Sequence, residues 1–392
     1  MFSGRARWNM PLNRLTRSRQ ERAAKGLPIL DLTETNPTQV GLDLPIAELA
    51  EAMRKAARAP YQPEPRGAIH AREALASVLS SEHHTVSADD LLLTASTSEA
   101  YSFLFKLFCD AGDEVITGIP SYPLLDHLVA LESVRLRQFR FDFERRWTID
   151  PHSVAKEMSE RTRALVVVHP SNPAGSFLSR SEQAAMAVVC QTAGIPLISD
   201  EVFIDYPLSP PADVAERASF RDEGMVISLG GLSKSAGLPH FKLGWIHVGG
   251  SEHERRRVLA GLEMVADQYL SVSTPVQMAL PELLRLAPSI RAAISERTAK
   301  NLVRLREEIE TYASLHLLPV EGGWSAVVRY PSIIADEDIA LELLEHEGVL
   351  LHPGYFFDFP ADGYLVLSLL CEPQTFRDGV ARVVAYLRER IG

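Results

Sequence analysis

Lys234 lies in residues 228–245, Ser-Leu-Gly-Gly-Leu-Ser-Lys-Ser-Ala-Gly-Leu-Pro-His-Phe-Lys-Leu-Gly-Trp, a turn of small residues between apolar runs at 225–229 and 243–248. A lysine in such a turn can reach into a cleft. An exposed lysine, with a pKa of about 10.4, is neutral in only a few parts per ten thousand at pH 7. It becomes a useful nucleophile when its surroundings lower that value, or when a carbonyl cofactor holds it as a Schiff base. Taken alone, the stretch reads more readily as a loop with a surface lysine, and the rest of the chain has to tip that balance.

Four other segments carry groups able to do chemistry. Residues 94–100, Thr-Ala-Ser-Thr-Ser-Glu-Ala, put the hydroxyls of Ser96, Thr97 and Ser98 in front of a helical run. Ser96 and Glu99 have capping-box spacing, and a helix N-terminus with free N–H groups also binds anions, so N-cap and phosphate site both remain open. Tyr122, between Pro120 and Pro123, is stiff enough to cover a planar ligand or to pack its own loop. Asn172 sits between Pro170 and Pro173 in an extended segment, with both amide functions free. Asp200 closes an apolar run; it is either a helix cap or a carboxylate that needs a positive partner, because burying it unpaired is costly.

The elements that position these groups are legible as an alternation. Short apolar runs at 91–94, 114–117, 134–139, 164–168, 196–199, 225–229 and 243–248 predict strands, and 98–109, 122–131, 153–160 and 181–192 predict helices between them. This is an α/β pattern, a mostly parallel seven-stranded sheet between helices. Ligands bind at the carboxyl ends of such strands, which is where all five groups fall. A phosphate on hydroxyls at a helix start, an aromatic over a ring, an Asn beside a ring oxygen, an Asp on a ring nitrogen and a lysine forming an imine together describe pyridoxal 5′-phosphate.

Outside that block, 45–59 and 68–81 predict helices separated by a proline-rich loop at 61–67. A long polar helix is expected at 289–311, then a smaller α+β domain with strands at 324–329, 349–351 and 364–369. The expected division is an N-terminal arm and segment packing with the small domain at 1–44, a large cofactor-binding domain at 45–285 and a small C-terminal domain at 286–392. A net charge of −11 over 392 residues argues against a nucleic-acid partner. Six arginines between Arg5 and Arg22 read as an arm packing on a second subunit, since no apolar h-region follows them. Cys109, Cys190 and Cys371 have no metal-ligand spacing and read as reduced thiols of a cytoplasmic protein; no run is apolar enough to cross a membrane.

The chain resembles the class I/II aminotransferases of the fold-type-I pyridoxal-phosphate enzymes. The resemblance rests on Gly231-Leu-Ser233-Lys234 followed by Gly-Leu-Pro and then Lys242, on Ser-Asn-Pro-Ala-Gly at 171–175, on Asp200-Glu-Val-Phe203, on Tyr61, Gly67 and Arg72, and on Pro-Gly-Tyr-Phe at 353–356. It implies Lys234 as the Schiff-base lysine and general base, Asp200 on the ring nitrogen, Asn172 on the ring hydroxyl, Tyr122 stacked on the ring and Phe203 and Ser233 beside it. Ser96, Thr97, Ser98 and Lys242 would hold the phosphate, with Tyr61 reaching the site of the other subunit in a homodimer. Four positions depart from the family pattern. Lys242 stands for an arginine, Phe203 for a tyrosine, and Gly231 lacks a hydroxyl. Val366 stands where the family's arginine binds the substrate carboxylate. Arg66 is the candidate to replace that arginine, with Asn36 and Trp324 as further substrate contacts.

The implied activity is ping-pong transfer of an amino group between an amino acid and a 2-oxo acid. The alternative is a lyase, decarboxylase or cyclase on the same scaffold, which Val366 keeps open. A non-catalytic sensing module is a third reading, against which stands the lack of a basic DNA-binding extension.

Overall fold

Apolar runs of four to seven residues, buried on both faces, have nowhere to go but the middle of a layered sheet. The computed structural model describes residues 3–6, 12–143 and 146–391, so residues 7–11 of the arginine-rich arm lie outside the described part. After β1 (Leu30–Asp31), the large sheet comprises β2 (Leu91–Thr94), β3 (Glu114–Ile119), β4 (Arg135–Arg140), β5 (Thr162–Val168), β6 (Leu197–Asp200), β7 (Met225–Gly231) and β8 (Gly244–Gly250). Their order is β2-β8-β7-β6-β5-β3-β4, parallel except for β8, which runs against both neighbours. The expected mostly parallel seven-stranded α/β sheet is therefore present.

Successive residues of each strand face opposite layers. Val115, Val166, Ile198 and Ile227 pack under α4 (Thr97–Phe108), α5 (Leu124–Leu131) and α9 (Glu252–Asp267). Ile116, Leu165, Leu197 and Val226 pack under α6 (Pro151–Glu157) and α7 (Arg180–Ala193). The packing leaves little slack at β8. A methyl group on Gly249 would land on the backbone carbonyl of Ser219, in the turn Ala218–Phe220. Gly249→Ala should therefore cost about 3 kcal/mol, read as a lowered midpoint in thermal or urea unfolding.

The polar helix is longer than its sequence predicts. It is α10, Thr274–Ile309, and it carries Pro281 and Pro288 inside it. A start at 289 follows from treating proline as a helix boundary; here tertiary packing overrides that preference. Val276 to Ile294 of α10 pack with α2 (Ile46–Ala56) and α3 (Ile69–Leu79) in one core, whereas Leu302, Leu305 and Ile309 belong to a second core built on the C-terminal sheet. Residue 285 thus falls within one continuous helix that serves both cores.

The C-terminal sheet is antiparallel, with β9 (His316–Leu317), β10 (Ser325–Arg329), β12 (His352–Pro353) and β13 (Tyr364–Ser368) in the order β12-β13-β10-β9. Helices α1 (Arg14–Ala24), α11 (Asp336–Glu342) and α12 (Pro373–Ile391) cover it. β1 pairs in parallel with β11 (Val349–Leu350), which ties the N-terminal segment to this domain. Between the two cores opens a cleft of about 330 Å³.

Candidate functional site

β2 ends at Thr94, and the chain turns straight into α4. Ser96 is the N-cap; its hydroxyl accepts from the Glu99 N–H at 3.2 Å. Only half of the expected capping box forms, because the Glu99 carboxylate accepts from the Ala95 N–H (2.6 Å) and the Ser271 hydroxyl (2.6 Å) instead. Ser96, Thr97 and Ser98 line the cleft beside Lys242. Lys242 has φ +52°, a left-handed conformation that non-glycine residues seldom adopt and that recurs at functional sites. This end of the cleft gathers hydroxyls, a helix N-terminus and a cation, a set suited to a phosphate.

Across the floor, β6 delivers Asp200. Its Oδ2 accepts from the Tyr101 hydroxyl at 2.9 Å and its Oδ1 from the Val202 N–H at 3.2 Å. Burial pushes the carboxyl up to about 6, against the pull of those two hydrogen bonds.

Lys234 rises from the short helix α8 (Leu232–Ser235). Its Nζ lies 4.8 Å from the ring centroid of Trp324 and 5.6 Å from that of Phe203. Desolvation lowers its pKa to about 8, against the charge of Glu34. Among the described residues neither Asp200 nor Lys234 has an ion-pair partner, and they do not pair with each other. In protein freed of cofactor, reductive labelling of Lys234 by a small aldehyde should rise with pH to a midpoint near 8, where an ordinary lysine would wait until about 10.4. Labelling at Lys234 as a function of pH, followed by peptide mass spectrometry, checks this.

The walls come from both domains. Tyr122 lines the cleft just before α5 and is 49% exposed. Asn172 also lines it, its Oδ1 accepting loosely from the Ser325 hydroxyl at 3.5 Å. Gly175, at φ +72°, lets the Asn172 loop press against residues 320–322; a side chain there would strike the Gly322 carbonyl. That contact leads into Trp324, which is clasped by Phe203 and by Tyr206, with ring centroids 5.3 and 5.0 Å away. Ser233 and Val366 complete the lining named from the sequence.

Three candidates are not brought in. Arg66 donates to the Asp89 carbonyl at 2.9 Å and pairs with Glu263 at 3.3 Å, away from the cleft of its own chain. The Asn36 side-chain Oδ1 accepts from the N–H and hydroxyl of Thr38, while Thr33 and Thr35 line the cleft from that segment. Tyr61 is 68% exposed, outside this chain's cleft.

The sequence reading also missed three residues. Tyr101 lies four positions after Thr97, and helical spacing puts it on the same face of α4, toward the cleft, a signal that was available. Tyr206, which donates to the Lys234 carbonyl at 2.6 Å, had none. His352 lines the cleft opposite Val366 in the β12–β13 register.

Among the described residues, a carboxylate and an amine, each without an ion-pair partner, share one cleft and do not pair with each other. A ligand bearing a protonated ring nitrogen, a phosphate and a carbonyl satisfies all three ends at once, so these residues fit pyridoxal 5′-phosphate. A family model for aminotransferase class I and II matches residues 28–382. Nicotianamine aminotransferase A of Hordeum vulgare is 29% identical over 332 residues, 81% of this chain and 70% of that protein. Glutamate-pyruvate aminotransferase AlaA of Escherichia coli (strain K12) is 26% identical over 294 residues, 72% of each chain. The solved alanine aminotransferase from Pyrococcus furiosus has the same fold, with a TM-score of 0.90 at 21% identity over 100% of both chains. The extent of the family match answers the question that the unpaired carboxylate and amine raise: the chain belongs to the class I and II aminotransferases, enzymes that move an amino group between an amino acid and a 2-oxo acid with pyridoxal 5′-phosphate.

Proposed function

We propose that this aminotransferase takes donors with uncharged, mainly apolar side chains, and that Lys234 is its nucleophile and proton carrier. The observation that carries the second part is the unpaired Lys234 amine against Trp324 and Phe203. At pH 7.5 a pKa near 8 leaves about a quarter of it neutral, able to take a proton from a donor's Cα and return it elsewhere. The bound cofactor supplies an electron sink that makes that Cα proton acidic. Asp200 is the group to meet the ring nitrogen, Asn172 the ring hydroxyl, and Tyr122 to cover one face, with Phe203 and Ser233 alongside. Ser96, Thr97, Ser98 and Lys242 would hold the phosphate.

The donor class rests on the remaining walls. Leu124, Leu125 and Leu128 face the cleft from α5, and Phe357 and Val366 from the small domain. Of the described lining residues, only Lys234 and Lys242 carry a positive charge, and both have other tasks. The donor's α-carboxylate already finds no free cation among the described lining residues of this chain, and a second carboxylate would add a further cost of several kcal/mol if desolvated. The ping-pong order gives a direct test. Given a donor and no acceptor, the loaded enzyme should release at most one equivalent of 2-oxo acid per chain, fastest with leucine- or phenylalanine-like donors. Repeated turnover without acceptor would instead mean lyase or decarboxylase chemistry, and a tenfold preference for aspartate or glutamate would sink the donor class.

We also place Tyr61 at the cofactor phosphate of a second copy in a homodimer. Its exposure, together with that of Met264 (74%) and Tyr269 (50%), supports this. Three cysteines without disulfides support a reducing, cytoplasmic setting. The N-terminal segment, large domain and small domain read from the sequence remain the proposed division, with α10 as the shared element.

A further inference from the structure

Tyr101 has no part in the chemistry above, yet it is 6% exposed and stands directly against Asp200, the carboxylate that lines the cleft. Its ring tilts against Phe105, centroids 5.8 Å apart, one turn further along α4. Its hydroxyl is the one side-chain donor to Asp200 among the described residues; the other donor is the backbone N–H of Val202. The groups that face Asp200 are few. Tyr101 comes from α4, Tyr122 from the loop after β3, and Val202 follows on its own strand end, with no arginine, lysine or histidine in ion-pair range among the described residues.

We propose that Tyr101 is a positioning residue for Asp200: its hydroxyl fixes the carboxylate's orientation and stabilises the charged form, so that the cofactor meets a ready-made anion. The proposal rests on the reading that Asp200 meets the ring nitrogen. Its physical reason is that a buried carboxylate with no cation nearby drifts toward the neutral form, and a phenol that donates one hydrogen bond favours the anion. Of the influences on Asp200, burial is the largest and the Tyr101 hydrogen bond is the largest that opposes it. The same burial and the same carboxylate raise the Tyr101 phenol well above its ordinary value, so it stays a donor across the working pH range.

Tyr101→Phe keeps the ring and its packing and removes only the hydroxyl. Carboxyl carbon NMR on the full chain without cofactor should show the Asp200 midpoint rising by about 1 to 2 pH units. Equilibrium dialysis at pH 7.5 should show pyridoxal phosphate binding weakened by about tenfold or more. Replacing Tyr101 with 3-fluorotyrosine makes the phenol a stronger donor and should move the Asp200 midpoint downward; this variant retains the hydrogen bond and serves if Tyr101→Phe fails to fold. An unchanged midpoint with unchanged cofactor affinity in folded Tyr101→Phe overturns the proposal, as does no shift with 3-fluorotyrosine. Asp200→Asn separates the two readings. If it leaves cofactor affinity intact, the assignment of Asp200 itself is wrong; if it weakens binding while Tyr101→Phe does not, only the role of Tyr101 fails.

Discussion

Lys234→Ala will leave a folded chain whose amino transfer is reduced by about 10⁴-fold or more, and borohydride will no longer fix the cofactor to it. In the role proposed for Lys234, nucleophile and proton carrier are one atom, and general acid–base catalysis alone is worth about 10²–10⁴. The other amine of the cleft, Lys242, sits at the end with Ser96 and Thr97 and cannot substitute without leaving that end uncompensated. Folding should not suffer. The Lys234 pKa falls from 10.5 to about 8 on folding, so between those values the unfolded chain binds more protons and stability rises with pH. Below pH 8 the native protein therefore carries a penalty of up to about 3 kcal/mol that alanine removes, less what the lost side-chain packing costs. Thermal unfolding of cofactor-free protein should show the variant at least as stable as the parent at pH 7, with the advantage gone by about pH 10.5. A marked loss of stability at pH 7 that Lys234→Met does not share would mean that lost packing, and one that Lys234→Met does share would mean that a native partner of the amine, outweighs the desolvation penalty.

Asp200→Asn has the second-largest expected effect. It keeps the shape and removes the charge, and losing one member of a buried charged pair costs about 2–5 kcal/mol. Cofactor affinity should fall by about 10²–10³-fold, and turnover with it, because a ring nitrogen without an anion holds its proton poorly. The cofactor-free protein should respond in the opposite sense. Asp200 is raised from 3.8 to about 6 in the folded chain, so its contribution to stability is present below pH 3.8 and is lost as pH rises through 6. Asparagine does not titrate. The stability of Asp200→Asn relative to the parent should thus be about 1 kcal/mol more favourable at pH 7.5 than at pH 5. Urea unfolding at the two pH values measures it; an equal difference at both would show that Asp200 is charged throughout.

Much of the site was readable residue by residue because a parallel sheet gathers its strand ends at one edge. Ser96, Asn172, Asp200 and Lys234 are far apart in sequence, yet each closes or follows an apolar run, and run length and turn chemistry are local properties. The helix after β2, to within one residue of its start, and the loop around Asn172 were readable for the same reason. Arg66 shows the limit. Its position near Tyr61 in sequence made it a candidate for a carboxylate, but its direction is set by Asp89 and by Glu263, nearly two hundred residues away. α10 shows the other limit, since Pro281 and Pro288 read as boundaries until the burial of Leu280, Leu283 and Ala287 in the large-domain core is seen to outweigh them.

By itself, then, the sequence determined the strand-end groups of the cleft and which cofactor those groups suit, since both follow from residue types at the ends of short apolar runs. Tertiary structure alone decided how those groups are tuned. Tyr101 meets Asp200 across 99 positions, Tyr206 holds the Lys234 carbonyl from 28 positions away, and Trp324 of the second domain removes water from the amine. Such contacts depend on how two cores dock against one helix, and the free energy of a buried charge depends on what surrounds it in space rather than along the chain.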